Sequence, residues 1–135
     1  MNQVAHELGM SMSSFVDPAG LSDDNLSTAR DMTRAVLAAS LQPEVARAAS
    51  AKSWWLRYDI KKTRRQIFST NRLRDRKGID ILAVKTGYTH TARHCLTMVY
   101  QTKNGRTIAF TQLGAFWNSS RWRDAVAILN WVDGL

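Results

Sequence analysis

The residues in this chain best suited to chemistry are Lys85-Thr86-Gly87-Tyr88-Thr89, followed by His90-Thr91-Ala92-Arg93-His94-Cys95. An ammonium, a hydroxyl and a glycine in succession make a compact edge for holding an anion. On an extended backbone side chains alternate faces, so Lys85 and Gly87 point one way and Thr86 the other. Glycine lets a ligand lie against the main chain. The N–H of Tyr88 is then free to point at negative charge that develops during a reaction. A metal is not expected. His6, His90 and His94 have Cys95 beside them but no spaced second pair of ligands.

The elements that must position this stretch follow from pattern. Ile79–Thr89 turns from apolar to polar and reads as the strand carrying Lys85. Cys95–Thr102 and Thr107–Leu113 are β-rich runs separated by Lys103-Asn104-Gly105-Arg106, and Asn-Gly between two such runs is the strongest short hairpin signal. Upstream, Asn2–Leu8 reads as a short helix stopped by Gly9. Met10–Asn25 is a loop of turn residues, with Phe15, Val16 and Leu21 expected to anchor it. Ser27 is expected to cap a helix over Thr28–Leu41, whose Met32, Ala35, Val36 and Ala39 share one face. Pro43 opens a second helix, Pro43–Ala51.

Trp54–Ile60 and Arg65–Ser69 read as two short strands joined through Lys61–Arg64, with Asn71–Gly78 a loop. The chain closes on a helix capped by Ser119-Ser120, with Trp122, Ala125, Val126, Leu129 and Val132 on one face, ending near Gly134. Helices, then an antiparallel sheet, then a helix define an α+β fold.

Composition narrows the class. With 135 residues, 44% hydrophobic and 22% charged, the chain is one globular domain at most. It has no apolar run of about 20 residues to span a bilayer, and no basic-flanked apolar leader follows Met1. The lone Cys95 has no internal partner and reads as a small buried strand residue.

The net charge is +8, and its position matters more than its size. Ten basic residues against two acids lie between Lys52 and Lys77, which leaves nine of each sign elsewhere. Trp54, Trp55, Tyr58 and Phe68 are interleaved with these cations, a mixture that suits a nucleic-acid strand. The reading preferred here is a solvated hairpin with a charged outer face, because no nucleic-acid motif accompanies it. The nucleic-acid alternative requires an affinity that falls steeply with salt.

Lys85-Thr86-Gly87 spells K-T-G, which stands beside S-x-x-K and S-D-N as an active-site motif of penicillin-binding proteins and class A β-lactamases. The company it keeps here runs in order. Met1-Asn2, Ala5, Leu8-Gly9-Met10, Phe15, Pro18, Gly20-Leu21 and Ser27-Thr28-Ala29-Arg30-Asp31-Met32 precede it, with Thr70-Asn71 and Leu73 closer by. Ala92, Cys95-Leu96, Asn104-Gly105-Arg106, Ile108 and Leu113-Gly114-Ala115 follow. In this order they resemble the serine D-alanyl-D-alanine carboxypeptidases, the low-molecular-weight penicillin-binding proteins of peptidase family S11. The ending, one helix after the last strand, looks most like the muropeptide endopeptidase branch.

The resemblance implies the C-terminal half of a β-lactamase/penicillin-binding-protein-like fold, with residues 1–135 forming a single partial DD-peptidase domain. It implies a substrate-binding strand of Lys85, Thr86, Gly87, Tyr88 and Thr89. Lys85 and Thr86 would hold the terminal carboxylate of a D-Ala-D-Ala stem peptide, and the Tyr88 N–H would form half of an oxyanion hole. It implies no cofactor, peptidoglycan stem peptides as partners with β-lactams bound weakly, and a periplasmic location. The sequence as given shows no leader, so its own expression would leave it in the cytoplasm.

Two departures qualify the resemblance. Arg93 stands where the family usually has glycine, and its side chain would crowd the mouth of the site or recruit an anion. More consequentially, no serine is followed by lysine three places on, so the S-x-x-K nucleophile is absent. Ser69-Thr70-Asn71 spells S-x-N, but it occupies the family's Asn-Thr-Asn-Leu position and reads as coincidence. Acyl transfer needs a nucleophile beside a base, so the chain is expected to bind at best. The alternatives are a non-catalytic binding half-domain, for peptidoglycan or a partner enzyme, and the basic nucleic-acid binder. Strand 107–113, which pairs in the family with a strand from the other half, is expected to form an exposed apolar edge inviting self-association.

Overall fold

Ladders of β-branched and aliphatic residues flanking the Asn104-Gly105 turn set the middle of the molecule. In the computed structural model, which describes residues 1–58 and 63–134, β3 (Ile79–Thr89), β4 (Arg93–Thr102) and β5 (Thr107–Ala115) form one antiparallel sheet in that order. Gly105, at φ 76°, supplies the left-handed position that closes the β4–β5 hairpin, and its N–H donates to the Thr102 carbonyl at 2.9 Å.

Helices cover both faces. On one side α4 (Asn118–Asp133) lays Trp122, Ala125 and Leu129 against Val84, Leu96, Met98 and Tyr100. On the other, α2 (Ala29–Ser40) and α3 (Pro43–Ser50) meet a smaller cluster of Val36, Ala83 and Val99, with Ala49, Leu82 and Ala109 beside it. The result is an α+β arrangement of three layers. A line of hydroxyls ties the second face together, with Thr33 Oγ1 2.9 Å from Thr111 Oγ1 and Thr111 Oγ1 2.8 Å from Thr97 Oγ1.

A β-bulge between Ile81 and Ala83 decides which face Lys85 takes. Ile79 and Ile81 pack toward α4, as does Val84, while Leu82 and Ala83 both pack toward α2 and α3. The extra residue therefore reverses the alternation before the reactive stretch. Lys85 emerges on the α2–α3 side and Thr86 on the α4 side. Lys85 and Gly87 lie exposed and Thr86 half-buried.

A second sheet is the hairpin of β1 (Ser53–Tyr58) and β2 (Thr63–Phe68), with Trp54 opposite Ile67 and Arg57 opposite Arg64. The Arg47 guanidinium lies 5.7 Å from the centre of the Trp54 ring. Residues 59–62, which hold the end of the strand expected at Trp54–Ile60 and part of its connection, lie outside the described residues.

Several expectations need correction. Helix α2 is capped by Thr28, whose Oγ1 accepts from the Asp31 N–H at 3.2 Å, and not by Ser27, whose hydroxyl instead meets Ser13 Oγ at 2.8 Å. The N-cap position of α4 is Trp117, so Ser119 and Ser120 lie inside the helix and cap nothing. Cys95 is only half-buried, its Sγ donating to the Ala92 carbonyl at 3.3 Å.

The loop after α1 (Asn2–Glu7) is also held differently. Val16 and Leu21 are 59% and 76% exposed and anchor nothing. The work falls to carboxylates and amides. Asp17 accepts from the N–H groups of Ala19, Gly20 and Ser22 at 2.6 to 2.7 Å and from Asn25 Nδ2 at 2.7 Å. Buried Asp31 gathers the Met12 N–H at 2.9 Å, the Ser13 hydroxyl at 2.8 Å and the Arg34 guanidinium at 2.9 Å, tying the loop to the first turn of α2.

The expected edge at 107–113 is present, since β5 pairs with β4 alone among the described residues. Its apolar side chains are partly covered, because Ile108 and Phe110 pack in the α4 layer and Ala109 in the opposite one. Leu113 is 41% exposed.

The loop carries a pH signature. The Ser22 N–H first, then Asn25 and the neighbouring amides, lower the Asp17 carboxyl from 3.8 to about 2. A carboxylate depressed in the folded state stabilises it above the unfolded value and loses that contribution as pH falls through the folded one. In an NMR acid titration, the amide signals of Ala19, Gly20 and Ser22 should therefore move with a midpoint near 2. A midpoint at the ordinary 3.8 would contradict the arrangement.

Candidate active site

Lys85 sits on an edge strand, with β4 on one side of it and no strand on the other among the described residues. Its ammonium folds onto the carbonyl of Thr86, leaving the side chain exposed to incoming anions. The Thr86 hydroxyl lies 2.7 Å from that of Thr70, so the loop after β2 fixes its rotamer. That loop is itself braced, with the Ser69 hydroxyl accepting from the Asn71 N–H at 3.2 Å and Asn71 Oδ1 from the Leu73 N–H at 2.9 Å. The Ser69 hydroxyl thus serves the turn.

No internal contact demands a glycine at position 87. A Cβ there would lie 3.9 Å from that of Cys95, an ordinary separation, and the backbone is in no left-handed region. The missing side chain opens the outward face instead. Beyond it the Tyr88 ring, 60% exposed, stacks on His94 with centroids 4.4 Å apart. Thr89 Oγ1 accepts from the Ala92 N–H at 2.9 Å and closes the turn into β4.

Arg93 follows with φ 58°, the conformation that makes glycine the easier residue at this point. Its guanidinium rests over the Phe116 ring, 4.5 Å from the centroid, an attraction that helps hold the strained backbone. Among the described residues no group of three histidine, cysteine or carboxylate side chains could hold a metal.

The residue that sequence reading passed over is Arg121. It is 6% exposed on the inner face of α4, and its Nη1 donates to the carbonyls of Gly87 at 3.2 Å and Cys95 at 3.1 Å. Its Nη2 donates to Asn118 Oδ1 at 2.7 Å, and that oxygen also accepts from Trp122 Nε1 at 3.2 Å. One cation thus joins the Lys85 strand, its neighbour and the last helix. The signal was available, since Arg121, Ala125, Leu129 and Val132 follow helical spacing and all are buried.

Two depressions flank the strand. A groove of about 620 Å³ runs along the α2–α3 side, lined by Met32, Val36, Trp54, Ile67 and Phe68 and ending at Lys85 and Thr86. A polar pocket of about 750 Å³ opens on the α4 side, where Thr86, Gly87, Tyr88 and His94 meet Arg72 and Arg121. Thr86 lines both.

An exposed cation, a fixed hydroxyl and an unobstructed backbone thus lie together on an edge strand, with a buried arginine behind it. The chain belongs to the D-alanyl-D-alanine carboxypeptidase family, whose sequence profile matches residues 1–116. It is 32% identical over 133 residues to the D-alanyl-D-alanine endopeptidase of Escherichia coli K12, and 33% identical over 133 residues to that of Pseudomonas aeruginosa PAO1. Each comparison covers 98% of this chain and 43% of the relative.

Among solved structures, the Streptomyces K15 DD-transpeptidase superposes with a TM-score of 0.85 at 27% identity, over 99% of this chain and 52% of that one. A D-alanyl-D-alanine carboxypeptidase from Mycobacterium tuberculosis H37Rv, 24% identical, shares the fold at a TM-score of 0.85, with the same coverage of 99% and 52%. The chain therefore spans about half the length of these structures and less than half of the two endopeptidases. The family is one of bacterial cell-wall peptidases, and no helix among the described residues is long and apolar enough to cross a membrane.

If Arg121 is the brace of the Lys85 strand, replacing it by methionine keeps bulk and removes both carbonyl contacts. Hydrogen exchange at the amides of Gly87 and Cys95 should then quicken about tenfold or more, with Met98 and Tyr100 unchanged. Uniform acceleration across β4, or none, would contradict a local role.

Proposed function

We propose that this chain is the substrate-holding part of a serine-type D-Ala-D-Ala carboxypeptidase or endopeptidase acting on peptidoglycan stem peptides, and that as given it binds without turnover. The observation that carries this reading is Lys85 and Thr86 side by side on an open strand edge, followed by a glycine no internal packing requires. Lys85 and the Thr86 hydroxyl hold the terminal carboxylate through charge-assisted hydrogen bonds. The Tyr88 N–H is placed to meet the oxyanion of a tetrahedral intermediate, and Thr89 shapes the end of the strand. No S-x-x-K, with a serine to attack and a lysine to activate it, occurs in these 135 residues. In a serine protease, loss of the nucleophile removes on the order of 10⁶ in kcat.

The domain is accordingly read as a partial DD-peptidase domain over residues 1–135, a periplasmic enzyme's part by kinship. The apolar groove ending at Lys85 supports this, because it leaves Trp54 and Phe68 47% and 63% exposed beside the site. Self-association through the edge at 107–113 belongs to the same reading.

Fluorescent penicillin should give no covalent label on the isolated chain. A labelled band that survives denaturation would show a nucleophile this account lacks. Light scattering after size exclusion should find dimers or larger species, and a stable, monodisperse monomer would contradict the open-edge proposal.

A further inference from the structure

The hairpin of β1 and β2 carries much of the local excess of positive charge, and the Lys85 site makes no use of its outer half. Of the basic residues in the stretch from Lys52 to Lys77, Lys52 and Arg74 are matched by Asp75, at 2.7 and 3.3 Å. Arg64 and Arg65 are exposed and form no ion pair among the described residues. Arg57 stands directly opposite Arg64, so two guanidiniums share one rung of the ladder. Arg47 of α3, also exposed, lies over the Trp54 ring and adds a further cation at the root of the hairpin.

Apolar side chains are interleaved with these charges on both faces. Cross-strand partners share a face, and faces alternate along each strand. Trp54, Leu56 and Ile67 therefore lie on one face with Arg65. Trp55 and Phe68 lie on the other with Arg57 and Arg64. All of them are exposed, Trp55 to 60%. So much uncovered apolar surface beside cations marks a place where something else binds.

Exposure on both faces decides the partner. A nucleic-acid strand stacks its bases on aromatic rings along one face, and it gives Leu56 and Ile67 little to pack against. A bilayer interface surrounds whatever enters it. It takes aliphatic and aromatic side chains together and offers phosphates to the guanidiniums among them. With six residues to a strand the hairpin is too short to cross a bilayer, so it would rest in the headgroup layer. We propose that the β1–β2 hairpin is a docking surface for an anionic lipid bilayer, its apolar side chains entering the interface while Arg57, Arg64 and Arg65 hold lipid phosphates. The inference stands apart from the binding role proposed for Lys85.

The test sediments the 135-residue chain with vesicles of phosphatidylcholine alone, and with vesicles of phosphatidylcholine and phosphatidylglycerol in equal amounts. Binding should be about tenfold or more tighter to the anionic vesicles. Arg64→Gln combined with Arg65→Gln should weaken it about tenfold. Lys103→Gln combined with Arg123→Gln, the same charge change in the β4–β5 turn and on α4, should alter it by less than about twofold. With lipids brominated on their acyl chains, the quenched fraction of tryptophan fluorescence should fall in Trp55→Ser and not in Trp131→Ser. No binding, equal binding to the two vesicles, equal loss in the two charge variants, or quenching that follows Trp131 would each overturn the proposal. So would a single-stranded oligonucleotide that displaces the chain from the vesicles at equal phosphate concentration, an outcome that gives the hairpin to nucleic acid. Loss of peptide binding in Lys85→Gln, or its absence altogether, leaves each of these outcomes as decisive as before.

Discussion

One buried guanidinium holds the working end of this molecule together. Arg121 reaches from α4 to the carbonyls of Gly87 and Cys95, fixing the end of β3 against β4 and both against the helix. The cost of burying that charge is offset by three neutral acceptors and by packing beneath Trp122, whose ring centre lies 5.1 Å away. The bulge at Ile81/Ala83 does the complementary job from the strand side, turning Lys85 away from the α4 core and toward the apolar groove. Without the bulge the lysine would share a face with Ile79, Ile81 and the main core. With it, the cation, the hydroxyl and the open backbone come out at the place where both depressions meet.

In the function proposed above, that geometry separates recognition from reaction. Holding a carboxylate needs a cation, a donor and room, and these lie within three consecutive residues. Cleaving a peptide needs a nucleophile and a base at bonding distance, and no S-x-x-K occurs in the sequence given.

The legible part of the fold was the part governed by local chemistry. The Asn104-Gly105 turn and the apolar-to-polar run of Ile79–Thr89 located β3 to β5 closely, and β3 has the bounds its sequence suggests. Caps were less legible, because Ser27 and Thr28 are both competent and tertiary contact decides between them. Ser27 is drawn to Ser13, which frees Thr28 for the helix. The loop anchors were misjudged for a similar reason. Val16 and Leu21 look like anchors by hydropathy, but they lie exposed, and Asp17 organises the loop by accepting backbone N–H groups. At the site, Lys85 to Thr89 could be read directly as a motif. The bulge, the Thr70 hydroxyl and the Arg121 brace could not, since each depends on a partner distant in sequence. Arg93 was legible as a misfit, and its left-handed φ gives the physical reason a glycine would suit that place.

We propose that an anion cradle stands here apart from any attacking group. Its most direct test incubates the purified chain with a D-Ala-D-Ala peptide and follows bound peptide and free D-alanine in the same sample. Saturable binding that depends on Lys85, with no D-alanine released above the buffer rate, is the predicted result. Release of D-alanine by this chain with no second polypeptide present would contradict it.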